Sequence, residues 1–379
     1  MEMKIAIVNP WSISNKSIGG TERFVIDLAE SLTNLGNEVD VYMFSGENHF
    51  HKGVNYININ LFNMEGDADE YIIQNAFGEF ETEESYIKLA EKLEKIDMTK
   101  YDCLHLNSLL FLCAWKEKKR VFTIHTNPFE YELAWGKNSY YKMLEVMATY
   151  KNDELTTFVA PSEFYAKQYE DLTGCKVKFI PHSIDCNRLF TDLSRKEIEE
   201  KYNLSKRKTR IIVPSRLEPV QKQPMLLIDA LTLLEDEIKE KLEIIFTGLD
   251  KQYIKFVDGL KEKSEKNNLD IKILRFDEMA EVYKIADFTV LPSRSESFGY
   301  SALESLSLGI PTILNDIPTF KEIGKESINC IFFDNTPLDL KEKIEKMMRK
   351  PLKRVVQSEN WNKQYSTKTF ADNYIKIMV

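Results

Sequence analysis

Short apolar runs of strand character alternate with longer amphipathic stretches along nearly the whole chain. In the first half the runs are MKIAIV (3–8), EVDVYM (38–43), YDCLHL (101–106), RVFTIH (120–125), LTTFVA (155–160) and KVKFI (176–180). Their length and β-branched content predict strands. Between the first two lies TERFVIDLAESLTNL (21–35), whose Phe24, Ile26, Leu28, Leu32 and Leu35 mostly keep helical spacing. Gly36 stands where such a helix should stop. The second half repeats the scheme, with strands expected near 210–214, 242–247, 270–275, 287–291, 311–314 and 329–333. Strands alternating with helices imply parallel sheets covered on both faces. Two such runs of similar size predict an α/β protein of two doubly wound domains facing a central cleft. The join is expected near PHSIDCNRLF (181–190), dividing the chain into 1–182 and 183–365.

Length agrees with this division, since 379 residues exceed one ordinary core. Hydrophobic residues make up 43% and charged residues 29%, as in a soluble globular protein. The net charge of −9 argues against a general nucleic-acid binder and gives no support for strong adhesion to an anionic membrane. The basic clusters KEKKR (116–120) and SKRKTR (205–210) read as solvated charge. Cys103, Cys113, Cys175, Cys186 and Cys330 are scattered and form no C-x-x-C pair, so neither a zinc site nor a redox motif is suggested. Reduced thiols in a cytoplasm are the expectation. The opening MEMKIAIVNP enters a strand directly, without the flanks of a signal peptide. No apolar run approaches the roughly 20 residues of a membrane span. A cytoplasmic location follows, at most peripheral to the inner face of a membrane.

In open parallel sheets ligands bind beyond the carboxyl ends of strands, often at a helix N-terminus. The strand-to-helix turns are therefore where chemistry is sought. None carries G-x-G-x-x-G or G-x-x-x-x-G-K-[ST], so dinucleotide and ATPase readings lose their main support. The first turn ends in Gly19-Gly20 before a helix opening at Thr21. Paired glycines allow close backbone approach to an anion, and equally a flexible turn with a threonine N-cap. TIHTNP places His125 at the end of the fourth strand, suited to a ligand or to a structural hydrogen bond. His105 reads as a supporting or core histidine. SRLEPVQKQP carries Arg216 and Lys222 around a proline turn, either a clamp for a diphosphate or two solvated charges.

The stretch SRSESFGYSALESLSLGIPTI (293–313) holds Glu296 and Glu304, eight residues apart. Ser301-Ala-Leu-Glu304 fits an S-x-x-E capping box, which gives Glu304 a structural job. Glu296 has no such job. It lies in the turn with Ser297 and Phe298, where a carboxylate can accept from sugar or ribose hydroxyls. The N–H groups of Gly299, Tyr300 and Ser301 could receive an anion. A rival acidic motif, Asp67-Ala-Asp69, resembles the D-x-D that holds a metal-bound nucleotide sugar in another class of glycosyltransferases, but it sits in an acidic segment away from any clear strand end.

MAEVYKIADFTVLPSRSESFGYSALESLSLGIPTI (279–313) resembles the E-x7-E signature of retaining glycosyltransferases of family 4, which have the GT-B fold of two Rossmann-like domains. The resemblance extends through the Gly-Gly turn, TIHT, APSEFYAKQY and SRLEPVQKQP. It reaches ENWNKQYSTKTFADNYIKIM, similar to C-terminal helices that pass back to the first domain, here 366–379. It implies that Glu304 holds the ribose of a nucleotide, Glu296 the donor sugar, and Arg216 and Lys222 the diphosphate. It places Gly20 at that diphosphate, with Gly19 beside it, His125 near the reacting carbon, and the backbone of Arg275 and Phe276 at the base. Two features depart from the family pattern. Arg216 and Lys222 are six apart, where five is common, and His182-Ser183 stands where Asn-Gly is frequent.

The implied activity is metal-independent transfer of a hexosyl or N-acetylhexosaminyl group. The donor would be a nucleotide diphosphate sugar, most often a UDP-sugar, and the acceptor a hydroxyl, in glycan, glycolipid or glycoconjugate biosynthesis. No cofactor is implied. A non-catalytic glycosyltransferase-like subunit and a nucleotide-sugar epimerase are the alternatives. Trp135, Tyr140 and Tyr141, with Tyr131, offer an aromatic acceptor surface or simple packing. The acidic stretch 65–84 reads as a flap or a solvated loop.

Overall fold

The computed structural model describes residues 2–10, 12–13, 19–59, 83–128, 130, 132, 137–248, 253–275 and 278–379. Phe276, Trp135, Tyr131, the Asp67–Asp69 motif and nearly all of the acidic stretch 65–84 lie outside them. The chain forms two compact units, Met1–Ser183 with Gln364–Val379 and Ile184–Lys363.

The first unit is built on an eight-stranded sheet. Its strands are β1 (Lys4–Asn9), β2 (Glu38–Met43), β3 (His49–His51), β4 (Val54–Asn58), β5 (Cys103–Leu106), β6 (Lys119–Thr123), β7 (Thr156–Ala160) and β8 (Val177–Phe179). They are ordered β3-β4-β2-β1-β5-β6-β7-β8, and only β3 runs antiparallel to its neighbour. Burial of nearly every residue along β1, β2 and β5 explains their continuous apolar runs, which sheets covered on both faces require. Strands β3 and β4 escape the hydrophobic pattern because β3 is exposed throughout and β4 buries only Val54 and Tyr56. Lys52 and Gly53 join them with φ of 47° and 83°, the left-handed pair of a tight hairpin.

The helix Gly20–Asn34 buries Phe24, Val25, Leu28 and Leu32 against one face of this sheet. The helix Thr367–Met378 returns beside it and adds Phe370, Ala371, Tyr374 and Met378 to the same core. Its Tyr374 hydroxyl lies 2.9 Å from Thr123 Oγ1 on β6.

The second unit has a six-stranded, wholly parallel sheet ordered β11-β10-β9-β12-β13-β14. Its strands are β9 (Thr209–Arg216), β10 (Leu242–Gly248), β11 (Ile271–Ile273), β12 (Phe288–Leu291), β13 (Thr312–Asn315) and β14 (Cys330–Phe333). Near the start of β9 the fully buried Arg210 pairs with the equally buried Glu243 of β10 at 2.8 Å and with Glu199 at 3.2 Å. Burial pushes the Glu243 carboxyl up. Arg210, the Ser205 N–H and Lys272 outweigh that and hold it below the usual range. Gly248 is needed where β10 meets the end of β9, since a Cβ there would lie 2.7 Å from Ser215 O.

Each sheet has a point where the chain's progress across it switches direction, between β1 and β5 and between β9 and β12. Such switch points open a crevice at the carboxyl ends of the strands. In the second unit the turns leaving β9 and β12 carry Arg216 to Lys222 and Glu296.

Candidate active site

The two turns at the switch point of the second unit meet through side chains. Lys222 Nζ lies 2.6 Å from Glu296 Oε1, with both side chains mostly buried. Arg216 ends β9 exposed to solvent. Between them the buried Glu218 folds back on its own turn. Its carboxylate accepts the N–H of Val220 at 2.9 Å, of Gln221, and of Lys222 at 3.1 Å. The turn is tied to the opposite loop by Arg294 N–H, which donates to Gln221 O at 2.7 Å, and by Gln221 Nε2, which donates to Ser295 O at 3.2 Å.

Beyond Glu296, Ser297 is half-buried, and Phe298 is buried with its ring edge-on to Tyr300 at 5.4 Å. Gly299 has φ of 100° and is the N-cap of the helix Tyr300–Ser307. A Cβ at Gly299 would also fall 2.7 Å from Phe320 Cε1, so position and conformation both demand glycine. No side-chain hydrogen bond caps this helix, and the positive end of its dipole favours an anion there.

The capping box expected from Ser301 and Glu304 does not form. The helix starts at Tyr300, so Ser301 is already inside its first turn, and its hydroxyl donates to Pro214 O at 2.6 Å. Glu304 is instead held from two sides. Arg188 Nη2 donates to Oε1 at 3.2 Å and the Tyr283 hydroxyl donates to Oε2 at 2.6 Å. Burial, then the Glu304 charge, keeps the Tyr283 phenol protonated, its pKa raised well above the ordinary value. A carboxylate has about four lone-pair directions, so the anchored Glu304 retains capacity for two ligand hydroxyls. Arg275 is exposed just past β11.

In the first unit Gly19 and Gly20 are exposed at the start of their helix. Gly19 is the N-cap, not Thr21, and again no side chain caps. A Cβ on Gly19 would lie 2.5 Å from Glu22 Oε2, which shows the Glu22 carboxylate lying over this turn. His125, half-buried just past β6, has Nε2 2.9 Å from Asn107 Oδ1 and its ring 4.7 Å from Phe24. Burial pushes its pKa down to about 3, so the ring is neutral. His105 is fully buried and pairs through Nε2 with Thr123 Oγ1 at 2.9 Å, a core role. His182 is buried beside them, its ring 6.1 Å from that of His125. On the helix Lys137–Thr149, Tyr140 is half-buried against the core and Tyr141 is half-exposed, with ring centroids 5.6 Å apart.

The sequence reading assigned no role to Glu218, Tyr283, Arg188 or Asn107. Only Glu218 left a local signal, as an acid before proline inside the cationic turn. Among the described residues no three His, Cys, Asp or Glu side chains are grouped to hold a metal ion. No described helix is long and apolar enough to cross a membrane.

Comparison with known proteins bears on both units. Residues 18–188 match the model of Glycosyltransferase Family 4, and residues 194–364 that of Glycosyl transferases group 1. An uncharacterized glycosyltransferase of Methanocaldococcus jannaschii is 24% identical over 347 residues, spanning 87% of this chain and 85% of its own. Among solved structures, a sucrose-phosphate synthase of Thermosynechococcus elongatus superposes with a TM-score of 0.76 at 17% identity, covering 99% of this chain and 98% of that one. The Anabaena protein HepE, solved with UDP and glucose, superposes with a TM-score of 0.72 at 16% identity over 99% of both chains. The chain belongs to the family 4 type of glycosyltransferases, with the GT-B fold of two Rossmann-like domains.

Proposed function

We propose that this glycosyltransferase is a retaining, metal-independent enzyme that moves a hexosyl-type sugar from a nucleotide diphosphate sugar to a hydroxyl of a growing glycan or glycoconjugate. The observation that carries the reading is the Lys222–Glu296 pair at the switch point of the second unit, beside an uncapped helix N-terminus. A cation, a carboxylate and a helix N-terminus on adjoining turns suit a ligand that is anionic at one end and hydroxyl-rich at the other. A UDP-sugar is the favoured donor, supported by the UDP and glucose bound to HepE.

In this reading Lys222 and Arg216 take up negative charge as the sugar–phosphate bond breaks and the anomeric carbon gains oxocarbenium character. Glu296 turns from Lys222 to the hydroxyls of the donor sugar. Glu304, steadied by Arg188 and Tyr283, accepts from the ribose. The departing phosphate oxygen takes the acceptor proton, so no separate general base is required. His125, neutral and hydrogen-bonded to Asn107, offers a polar contact to the donor sugar rather than a charge.

A thermal-shift screen against UDP-, GDP- and ADP-sugars tests the donor, because a ligand bound at 100 times its Kd adds about 2.7 kcal/mol of stability. Lys222→Met should lower kcat by about 100-fold or more, the loss of one charge-stabilising donor. A folded Lys222→Met enzyme with undiminished transfer would refute the assignment.

A further inference from the structure

The turn that presents Lys222 contains a buried anion that the reading above leaves unused. Glu218 is 8% exposed. No cation among the described residues lies within ion-pair distance of it, so its charge is satisfied by backbone. Oε1 takes the N–H of Val220, and Oε2 takes those of Gln221 and Lys222. Three donors converging on two oxygens suffice for a carboxylate away from water. On electrostatic grounds alone an acid is an odd neighbour for a site that receives an anion. Its value must therefore lie in geometry.

The geometry is specific. From the exposed Arg216 the chain must reverse and enter the helix Pro224–Thr232 within a few residues. Pro219 has no N–H to give. Val220 is turned outward, 41% exposed, while its N–H points back to Glu218. The next residue, Gln221, is gripped by the loop of residues 294–295 through its carbonyl and its side chain. Lys222 follows directly, and Glu296 directly follows that loop. Glu218 thus closes a ring that runs from its carboxylate through Gln221 to residues 294–296 and back through the ion pair to Lys222.

We propose that Glu218 is a positioning residue, whose carboxylate folds residues 218–222 so that the Lys222 ammonium is delivered to Glu296 and, on the reading above, to the donor diphosphate. Glutamine cannot substitute. Its single amide oxygen serves fewer N–H groups, and its NH2 faces at least one of them donor to donor.

The test follows Lys222 itself. Trace acetylation of the folded chain, read by mass spectrometry, gives the rate at Lys222 against the internal standard Lys266, whose side chain is 69% exposed. Glu218→Gln should raise the Lys222 rate by about fivefold, the change that loss of one buried hydrogen bond of about 1 kcal/mol produces. Glu296→Gln should raise it similarly, and the double variant should be no faster than the faster single one, because both act on one contact. An unchanged Lys222 rate in folded Glu218→Gln, or additive rises in the double variant, overturns the proposal. Should Glu218→Gln fail to fold, Glu218→Asp draws the carboxylate back by one methylene and must move the rate in the same direction. An unchanged rate there overturns it equally. UDP titrated by calorimetry into Glu218→Gln and Lys222→Met separates this proposal from the donor assignment. If acetylation responds but both variants bind UDP as the native chain does, the donor assignment fails and the positioning role stands.

Discussion

Acid should unfold the first unit before the second, and the reason lies in three histidine rings packed around one phenylalanine. All five histidines of the chain lie in the first unit. His105, His125 and His182 gather around Phe24, with ring centroids 5.4, 4.7 and 4.7 Å away. Burial depresses all three, His125 to about 3 and the others well below the ordinary 6.5. For His105 and His182 the neighbouring histidines add to the effect, since charging one ring opposes charging the next. The folded unit keeps these rings neutral while the unfolded chain takes up three protons below pH 6.5. Stability is therefore full above 6.5 and lost as pH falls toward the folded values. Each ring removes about 1.4 kcal/mol per pH unit, so three remove about 4 kcal/mol per unit and about 6 kcal/mol by pH 5. That is comparable to the whole stability of an ordinary domain, about 5–15 kcal/mol. Hydrogen exchange read by mass spectrometry between pH 7.5 and 5 would report each unit separately. Strands β1, β5 and β6 should lose protection first, while β9 and β12 keep theirs. Equal loss in both units, or a flat profile in the first, would refute the reasoning.

Three further outcomes follow from single contacts. Tyr283→Phe removes the hydroxyl that donates to Glu304 Oε2 and should weaken donor binding by about 10- to 100-fold, the worth of a hydrogen bond to a charged group; calorimetry with the donor reads it. Gly299→Ala combines a left-handed backbone with a Cβ 2.7 Å from Phe320, and should cost about 2–4 kcal/mol in urea unfolding of the second unit. Arg210→Leu removes the Glu243 Oε2 partner, leaves that buried carboxylate to Lys272 and the Ser205 N–H, and should destabilise the same unit by about 1.5–3 kcal/mol in urea unfolding, with no change if the network is dispensable.

The alternation of strands and helices was legible because a parallel sheet buried on both faces writes its strands as unbroken apolar runs. Glu296 was legible because a carboxylate in a turn ahead of a glycine has no helical task. The capping box offered to Ser301 and Glu304 failed on the same local logic. S-x-x-E is a sound capping pattern, but Gly299 takes the cap and Pro214 O, 87 residues away, captures the Ser301 hydroxyl. Arg188 and Tyr283 could not be read at all, being brought to Glu304 from 116 and 21 residues off by the fold alone. Strand β4 was missed because Val54 and Tyr56 are too sparse an alternation to stand out.

The returning helix Thr367–Met378 also sets an order of assembly. Its Phe370, Ala371 and Tyr374 complete the core that Phe24 and Leu28 begin, yet the ribosome makes them after the entire second unit. During synthesis the second unit can close as a contiguous stretch. The first must wait with β6 and one side of the helix Gly20–Asn34 uncovered, a period in which its apolar surface is open to chaperones and to aggregation.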